Sequence, residues 1–162
     1  MADIRIELAT LAHLDAIVAN NIAMAAETEG LALDPEVARA GVRRVLTSEE
    51  RGRYYVALGG DLVIGQVLIT REWSDWRDDW FWWLQSVYVL PAARGHGVFR
   101  QLHEFIEQKA RKTPGVCGLR LYVDRNNEHA RKIYEQMGMH AANYDFMELS
   151  WKELGSADPP AE

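Results

Sequence analysis

The spacing of hydrophobic positions predicts a short strand and two helices in the first third of the chain. Residues 4–8 alternate between apolar and polar side chains, as a half-buried strand does. Apolar residues then recur at helical spacing behind the capping residue Thr10, at Leu11, Leu14, Val18 and Ile22. Asp34 and Pro35 are typical of a helix N-cap and first position, so a second helix is predicted to begin there.

The middle of the chain follows the period of a β-sheet. Residues 53–58 and 62–70 flank a Gly59-Gly60 turn and predict a β-hairpin. Residues 71–79 are polar with interspersed tryptophans and are predicted to form the next hairpin loop. A further strand is predicted over residues 80–90, because the proline that follows cannot continue a strand ladder.

The last third returns to helical spacing and then alternates. A helix is predicted to end at Thr113-Pro114-Gly115, which break helical structure. Its apolar positions are Val98, Leu102, Phe105 and Ile106. Strands are predicted for residues 116–123 and 144–151. Between them, one helix face closed by Gly138 consists of Ala130, Ile133, Tyr134 and Met137. The tail, residues 155–162, is small, acidic and proline-rich, and we expect it to be disordered.

The order of these elements defines a fold class. It reads β-α-α-β-β-β-α-β-α-β, which is an antiparallel meander followed by a strand–helix–strand unit. This order predicts an α/β fold with a mixed central sheet. At 162 residues the chain suffices for one domain with a sizeable core, so residues 1–154 are predicted to form a single domain.

Composition and charge narrow the choice of partner. The chain is 48% hydrophobic and 26% charged, as in ordinary globular proteins, and its net charge is −6 with no block of Lys or Arg. We therefore expect neither nucleic acid nor a membrane as a partner, and an acidic body mildly favours a cationic substrate.

The expected location follows from the cysteine count and the first residues. Cys117 is the single cysteine, which fits a reducing compartment, and it is predicted to be a small buried hydrophobe in a strand. The first sixteen residues lack the apolar run of a signal peptide, and no stretch approaches the ~18 apolar residues that span a bilayer. We expect a cytoplasmic protein.

Gly95 and Gly97 lie where the strand of residues 80–90 gives way to a helix. A helix N-terminus exposes N–H groups and partial positive charge, and glycines let the backbone approach an anion such as a pyrophosphate. Basic side chains surround this turn at Arg94, His96 and Arg100. The same residues also suit a glycine-rich turn without a ligand. They form neither a Walker loop nor a dinucleotide fingerprint, because the Lys-Ser/Thr pair and the third glycine are missing.

Two motifs together resemble the GNAT superfamily of N-acetyltransferases. Residues 94–99, Arg-Gly-His-Gly-Val-Phe, are similar to its acyl-CoA loop, and they follow a Val-x-Val-x-Pro strand end as that loop does. Its downstream strand-then-helix segment is matched by Val123, Asn127, Ala130, Tyr134, Gly138 and Met139. Phe99 departs from the usual Gly or Ala, and Met139 from the usual Phe. The family's order of elements implies helices on both faces of the sheet.

The resemblance implies acetyl-CoA as co-substrate, no metal, and a set of residues that bind it. The backbone of Val87 and Val89 would pair with the pantetheine arm, and amides from Gly95 to Arg100 would hold the pyrophosphate. Asn127 would contact the CoA arm, and it also suits a helix cap. The implied cofactor set is Val87, Val89, Arg94, Gly95, His96, Gly97, Val98, Phe99, Arg100 and Asn127.

Tyr134 matches the family's general acid, which protonates the departing CoA thiolate; its spacing alone favours a core tyrosine, and the motif reverses that preference. The base is open. Freeing an alkylamine of pKa ~10 at neutral pH costs about 4 kcal/mol. Many relatives place a Glu on the strand before the loop, but residues 80–90 hold no carboxylate. The candidates are Glu27, Glu29, Glu72 or a water chain from Tyr88. Glu27 and Glu29 are further expected to bind the acceptor, although all three acids also suit a solvated surface.

Tryptophan is dense near the centre of the chain, at Trp73, Trp76, Trp80, Trp82 and Trp83. These residues favour core packing and strand pairing, including a homodimer interface, over the alternative of a wall beside the acceptor. The histidines without metal-ligand spacing are predicted to be structural, namely His13, His103 and His140.

The sequence thus favours direct transfer of an acetyl group from acetyl-CoA to a primary amine of a small molecule or peptide. The alternative is a non-catalytic acyl-CoA-binding module, which the missing strand carboxylate favours and Tyr134 disfavours. The acceptor is open among polyamines, amino acids, aminoglycoside-like antibiotics and protein N-termini.

Overall fold

The computed structural model describes residues 4–152 and 154. Its strands are β1 (Ile4–Leu8), β2 (Arg53–Gly59), β3 (Leu62–Ser74), β4 (Asp79–Val89) and β5 (Val116–Leu121). Its α-helices are α1 (Leu14–Glu29), α2 (Pro35–Leu46), α3 (Val98–Lys112) and α4 (Glu128–Gln136). Within this described part, no helix has both the length and the apolar character needed to cross a membrane. The tail predicted to be disordered, residues 155–162, lies outside the described residues.

Local sequence explains where the first two helices begin. The Thr10 N–H donates to the His13 ring, while the Thr10 hydroxyl accepts from the backbone, and this capping box opens one 3₁₀ turn ahead of α1. The Asp34 carboxylate accepts from two backbone N–H groups of α2, with Pro35 at the first helical position. Both predicted caps are confirmed.

The sheet is mixed, as the order of elements predicts. Strands β1 to β4 pair as an antiparallel meander, and β5 pairs parallel to β4, so the spatial order is β1-β2-β3-β4-β5. A parallel neighbour requires a crossover connection, which α3 supplies.

Helices cover both faces of the sheet, in agreement with the family resemblance. On one face, α1 and α2 enclose a core around Ile17 and Val56. On the other, α3 packs Leu102 and Ile106 against β3 and β4. These four side chains are at most 1% exposed, so each face has a fully buried centre.

The segment predicted as a hairpin loop, residues 71–79, is mostly strand. β3 continues to Ser74 and β4 begins at Asp79, which leaves a turn of residues 75–78. The prediction was wrong because it read polarity as a loop, whereas cross-strand contacts stabilise the exposed strands. Trp73 meets Trp80 edge-on with ring centroids 5.0 Å apart.

The strand predicted over residues 144–151 is absent from the structure, although the segment is described. Its side chains alternate as in a strand, but its backbone adopts no regular conformation, and five large apolar side chains are exposed. Side-chain contacts tether the segment instead: the rings of Tyr122 and Phe146 lie 4.8 Å apart, and Arg125 donates to Asp145 at 2.6 Å. Alternation of apolar and polar side chains is therefore not sufficient for this segment to pair as a strand of the sheet.

Cys117 lies in a strand as predicted, but it is exposed rather than buried. The pairing of β5 with β4 jumps from Val116 to Gly118, so Cys117 is the extra residue of a bulge on an edge strand. A bulge at an edge turns the added side chain away from the core, which explains its exposure.

A second bulge interrupts β4 near its carboxyl end. Gln66 and Leu68 of β3 pair with Tyr88 and Gln85, so two residues of β4 oppose one of β3. The first of the two, Ser86, has φ 48°, in the left-handed region that non-glycine residues seldom adopt. This bulge sets the side-chain directions of the last residues of β4.

Candidate active site

An opening in the sheet begins where β5 ends. The parallel pairing of β4 with β5 runs from Trp80 to Leu84, and β5 stops at Leu121. β4 runs on to Val89 with β3 as its partner on the other side. Among the described residues, the backbone of residues 85–89 therefore has no strand partner on its β5 side. Its N–H and C=O groups form a short free edge.

The glycine loop stands directly beyond this edge. Gly95 and Gly97 have φ values of 77° and 78°, and Gly97 is the N-cap of α3. At neither glycine would an added Cβ meet a neighbour closer than 4.0 Å, so this side of the loop is open. The unpaired N–H groups of the first turn of α3 give this end of the helix its partial positive charge.

The core anchors the loop through Val98. Its side chain is 1% exposed and packs against Gly65, where a Cβ would lie only 2.9 Å from Val98 Cγ1. A glycine at position 65 therefore lets α3 approach the sheet closely, and only the backbone of Val98 is left to face the loop. His96 is exposed and its Nδ1 lies 2.9 Å from the Arg94 carbonyl oxygen, while Arg100 is exposed.

Arg94 is engaged within the protein. Its guanidinium forms two hydrogen bonds to the carboxylate of Glu27, at 3.1 and 2.7 Å, and its Nε donates to the Val89 carbonyl oxygen at 3.0 Å. It also lies over the Tyr88 ring, 5.4 Å from the centroid. The contacts join the end of α1 to the end of β4.

Glu27, Tyr88 and Arg94 form one cluster, in which the charge of each shapes its neighbours. The hydrogen bond from Arg94 holds the pKa of Glu27 below its ordinary value, so this carboxylate is ionised at neutral pH. Burial, aided by the nearby charge of Glu27, raises the pKa of Tyr88, so its phenol keeps its proton.

The other two candidate acids stand apart from this cluster. Glu29 is the exposed last residue of α1, and two residues of helix separate it from Glu27 by about 200° around the axis. Glu72 lies on β3, where it accepts hydrogen bonds from Trp83 Nε1 at 2.5 Å and Arg120 at 3.0 Å. Burial opposes these hydrogen bonds but does not outweigh them, so the pKa of Glu72 lies below its ordinary value.

Tyr134 and Asn127 both belong to α4. The Asn127 carboxamide oxygen accepts from the Ala130 N–H at 3.0 Å, so its predicted role as a helix cap is confirmed. Tyr134 is partly buried and meets Phe99 of α3 edge-on, with ring centroids 5.5 Å apart. Burial raises the pKa of Tyr134, so its hydroxyl carries a proton at neutral pH.

The tryptophans divide between packing and surface. Trp82 is 6% exposed and belongs to the core on the α3 face, and Trp73 and Trp80 pair across two strands. Trp76 is 85% exposed in the turn. Trp83 stacks near Tyr122 at 4.4 Å, beside the last residue pair of β4 and β5. Core packing and strand pairing thus account for most of the set, and Trp83 lies one residue before the last paired residue of β4.

Sequence reasoning missed a buried polar network behind the site. Gln66 is 0% exposed and bonds to Asn20 and Asn21 of α1 and to the backbone at Ser86. The sequence did offer a signal, since Gln66, Asn20 and Asn21 are polar residues within otherwise apolar segments. A buried amide must find hydrogen-bond partners, so such residues are candidates for a shared network.

Comparison with known proteins agrees with this geometry. Residues 23–139 match the family described as "Acetyltransferase (GNAT) family". This match covers most of the chain, and the chain therefore belongs to the GNAT family of acyltransferases, as the two motifs indicate.

Three known proteins are similar to the chain to different degrees. A solved structure titled a possible acetyltransferase from Clostridium difficile 630 is 38% identical, with a TM-score of 0.86 over 93% of this chain and 99% of that one. The N-alpha-acetyltransferase 40 of Saccharomyces cerevisiae is 38% identical over 66 residues, which span 37% of this chain and only 23% of that protein. An aminoglycoside N-acetyltransferase in complex with CoA, 14% identical, covers 94% of this chain and 97% of its own with a TM-score of 0.74, and shows the shared fold alone.

Proposed function

We propose that this chain transfers an acetyl group from acetyl-CoA to a primary amine of a small molecule or peptide, by direct attack in a ternary complex. The observation that carries the proposal is the free edge of residues 85–89 beside the glycine loop at the N-terminus of α3. Acetyl-CoA contains an arm with two amides and a pyrophosphate. A free strand edge suits the amides and a helix N-terminus suits the anion, so the two features together fit this substrate.

The cofactor residues divide into backbone and side-chain contributors. Val87 offers both its N–H and its C=O at the free edge, whereas Val89 offers its N–H, because its carbonyl oxygen already accepts from Arg94 Nε. The amides from Gly95 through His96, Gly97, Val98 and Phe99 to Arg100 receive the pyrophosphate. Because its oxygen caps α4, Asn127 is left with its amide nitrogen to contact the arm. The guanidinium of Arg94 is hydrogen-bonded to Glu27, so Arg94 contributes positive charge near the loop rather than a direct contact with the phosphates.

The transfer step requires a free amine and a proton for the leaving thiolate. The amine nitrogen attacks the thioester carbonyl, its C–N bond forms, and the C–S bond breaks as the tetrahedral intermediate collapses. Tyr134 gives its proton to the thiolate, and the proton that the attacking nitrogen loses as it becomes an amide passes through water and restores the Tyr134 phenol. Burial keeps this phenol protonated, as a donor must be. Membership of an acyltransferase family and the retained Tyr134 favour this enzyme over a non-catalytic binding module.

The acceptor lies on the α1 side of the opening, next to Glu27 and Tyr88. The hydrogen bond from Arg94 keeps the pKa of Glu27 below its ordinary value, so this carboxylate is a poor final acceptor for the amine's proton. Glu27 therefore attracts the ammonium group, and the proton leaves through water ordered by Tyr88. Glu29 lies about 200° around α1 from Glu27 and contributes only to the overall negative charge, and Glu72 stays with Trp83 and Arg120.

The test is release of free CoA thiol from acetyl-CoA in the presence of an amine panel. The panel contains a polyamine, an amino acid, an aminoglycoside and a peptide with a free N-terminus. We expect at least one amine to accelerate thiol release well above hydrolysis. Binding of acetyl-CoA without acceleration by any amine would instead support the binding module.

A further inference from the structure

Gln66 is a fully buried amide whose hydrogen-bond partners come from two elements, α1 and β4. Its Oε1 accepts from Asn20 Nδ2 at 3.0 Å. Its Nε2 donates to Asn21 Oδ1 at 2.7 Å and to the Ser86 carbonyl oxygen at 3.4 Å. Asn21 in turn donates to the hydroxyl of Tyr54 at 3.0 Å. The network therefore ties α1 and β2 to the bulge in β4 through one side chain of β3.

The bulge decides which side chains reach the site. Inserting one residue reverses the faces of every residue beyond it, because strand side chains alternate with a period of two. With the bulge in place, Tyr88 is buried on the α1 side beside Glu27, while Val87 and Val89 pack against the core on the α3 side. Loss of the bulge would turn Tyr88 away from Glu27 and change the direction of the free edge.

Ser86 needs support to hold this bulge. Its φ of 48° lies in the left-handed region, which is strained for a residue with a Cβ. In the network, the contact that bears on this residue is the hydrogen bond from Gln66 to its carbonyl oxygen. The contacts to Asn20 and Asn21 fix the Gln66 amide so that its N–H points at that oxygen.

We propose that Gln66 is the positioning residue of the acyl-CoA site: it holds Ser86 in the bulge and thereby sets the free edge of Val87 and Val89. This inference rests on the proposed function, because the edge matters through the acetyl-CoA it receives. Gln66 itself touches no reacting atom. Its effect reaches the substrate through the backbone of β4.

Gln66→Met removes the hydrogen bonds while keeping a side chain of similar length. We expect it to weaken acetyl-CoA binding by up to about tenfold by calorimetry, the factor that corresponds to the net contribution of about one hydrogen bond. Tyr54→Phe is the matched control, since it breaks the same network at its far end, away from Ser86. This control lowers the melting temperature and leaves acetyl-CoA affinity within about twofold.

A rescue separates positioning from general stability. Glycine adopts φ above zero without steric cost, so Ser86→Gly added to Gln66→Met should recover most of the lost affinity. If Gln66→Met does not fold, Gln66→Asn keeps the amide but is one methylene too short to reach Ser86, and the same comparison applies. Unchanged affinity in a folded Gln66 variant, equal loss in Tyr54→Phe, or no rescue by Ser86→Gly would each overturn the inference. Absence of acetyl-CoA binding by the unmodified chain would instead refute the proposed function on which it rests.

Discussion

The ring of Tyr134 meets the ring of Phe99 edge-on, at 83° and a centroid distance of 5.5 Å. Phe99 departs from the small residue expected at the end of the acyl-CoA loop, and its side chain packs on α4 and near His103 rather than over the open side of the loop. The bulky residue thus orients the proposed general acid. Edge-to-face contacts of this kind contribute about 0.5–1.5 kcal/mol beyond burial.

Tyr134→Phe should reduce kcat by about 10²–10⁴, the usual contribution of general acid catalysis. The ring contact with Phe99 survives the change, so the melting temperature and the affinity for acetyl-CoA should hardly move. Steady-state kinetics with an accepted amine, run beside thermal melts, measures this. Tyr144→Phe removes a hydroxyl from a tyrosine that is 82% exposed and serves as the matched control. Equal kcat in both variants would return Tyr134 to a packing role.

Gly97→Val should abolish specific binding of acetyl-CoA. The added side chain has space in the fold, since Gln101 Nε2 at 4.0 Å is its nearest neighbour, so it stands on the open side where the pyrophosphate is proposed to bind. Strain from the left-handed backbone costs about 1–2 kcal/mol of stability. Gly60→Val carries similar strain in a distant hairpin turn, with φ 64° and open space. Calorimetry that finds the two variants equal in affinity would contradict the loop assignment.

Glu27→Gln should raise the KM for the amine several-fold while Glu29→Gln changes it less. The first substitution removes the charge beside Tyr88 and Arg94, whereas the second removes an exposed charge elsewhere on α1. The paired measurement separates a local effect from the loss of one negative charge. If the two variants have the same KM, the cluster does not bind the acceptor.

Unfolding stability should fall as the pH drops below about 6.5, in part through His103. This ring is 2% exposed and burial lowers its pKa from the ordinary 6.5, while Glu107 and Glu104 on the same helix oppose the shift. Above pH 6.5 the His103 ring is neutral in both the folded and the unfolded chain. Below pH 6.5 the unfolded chain binds a proton at His103 more readily than the folded chain does, so the unfolded state is favoured. Urea unfolding between pH 8 and 5 should show a flatter pH slope for His103→Leu. The exposed His140→Leu should keep the slope of the unmodified chain, and a flattened slope there would reject the assignment to His103.

Local chemistry made much of the fold predictable. The caps at Thr10 and Asp34 and the Gly59-Gly60 turn depend on neighbouring residues, and each is found where the sequence places it. The meander and the parallel fifth strand follow from the order of elements. The segment of residues 144–151 shows the limit, because pairing depends on a partner edge that alternation does not report.

Long-range polar contacts in the site were beyond the sequence. The motif predicts that Arg94 lies near the phosphates, yet its guanidinium forms hydrogen bonds to Glu27, which lies 67 residues earlier in the chain. Gln66 reads as one polar residue within an apolar strand. Its importance rests on the bulge at Ser86. The residues on each side of a bulge still alternate with a period of two, so alternation alone does not locate the bulge. Both cases require knowledge of which surfaces the fold brings together.

The most direct test of the account is to follow the acetyl group itself. Acetyl-CoA labelled in its acetyl carbons is incubated with the protein and the amine that best releases CoA thiol, and the products are analysed by mass spectrometry. We expect one labelled acetyl group on the amine nitrogen for each thiol released, with Tyr134→Phe slower by about 10² or more. Thiol release that yields labelled acetate and an unmodified amine would contradict it.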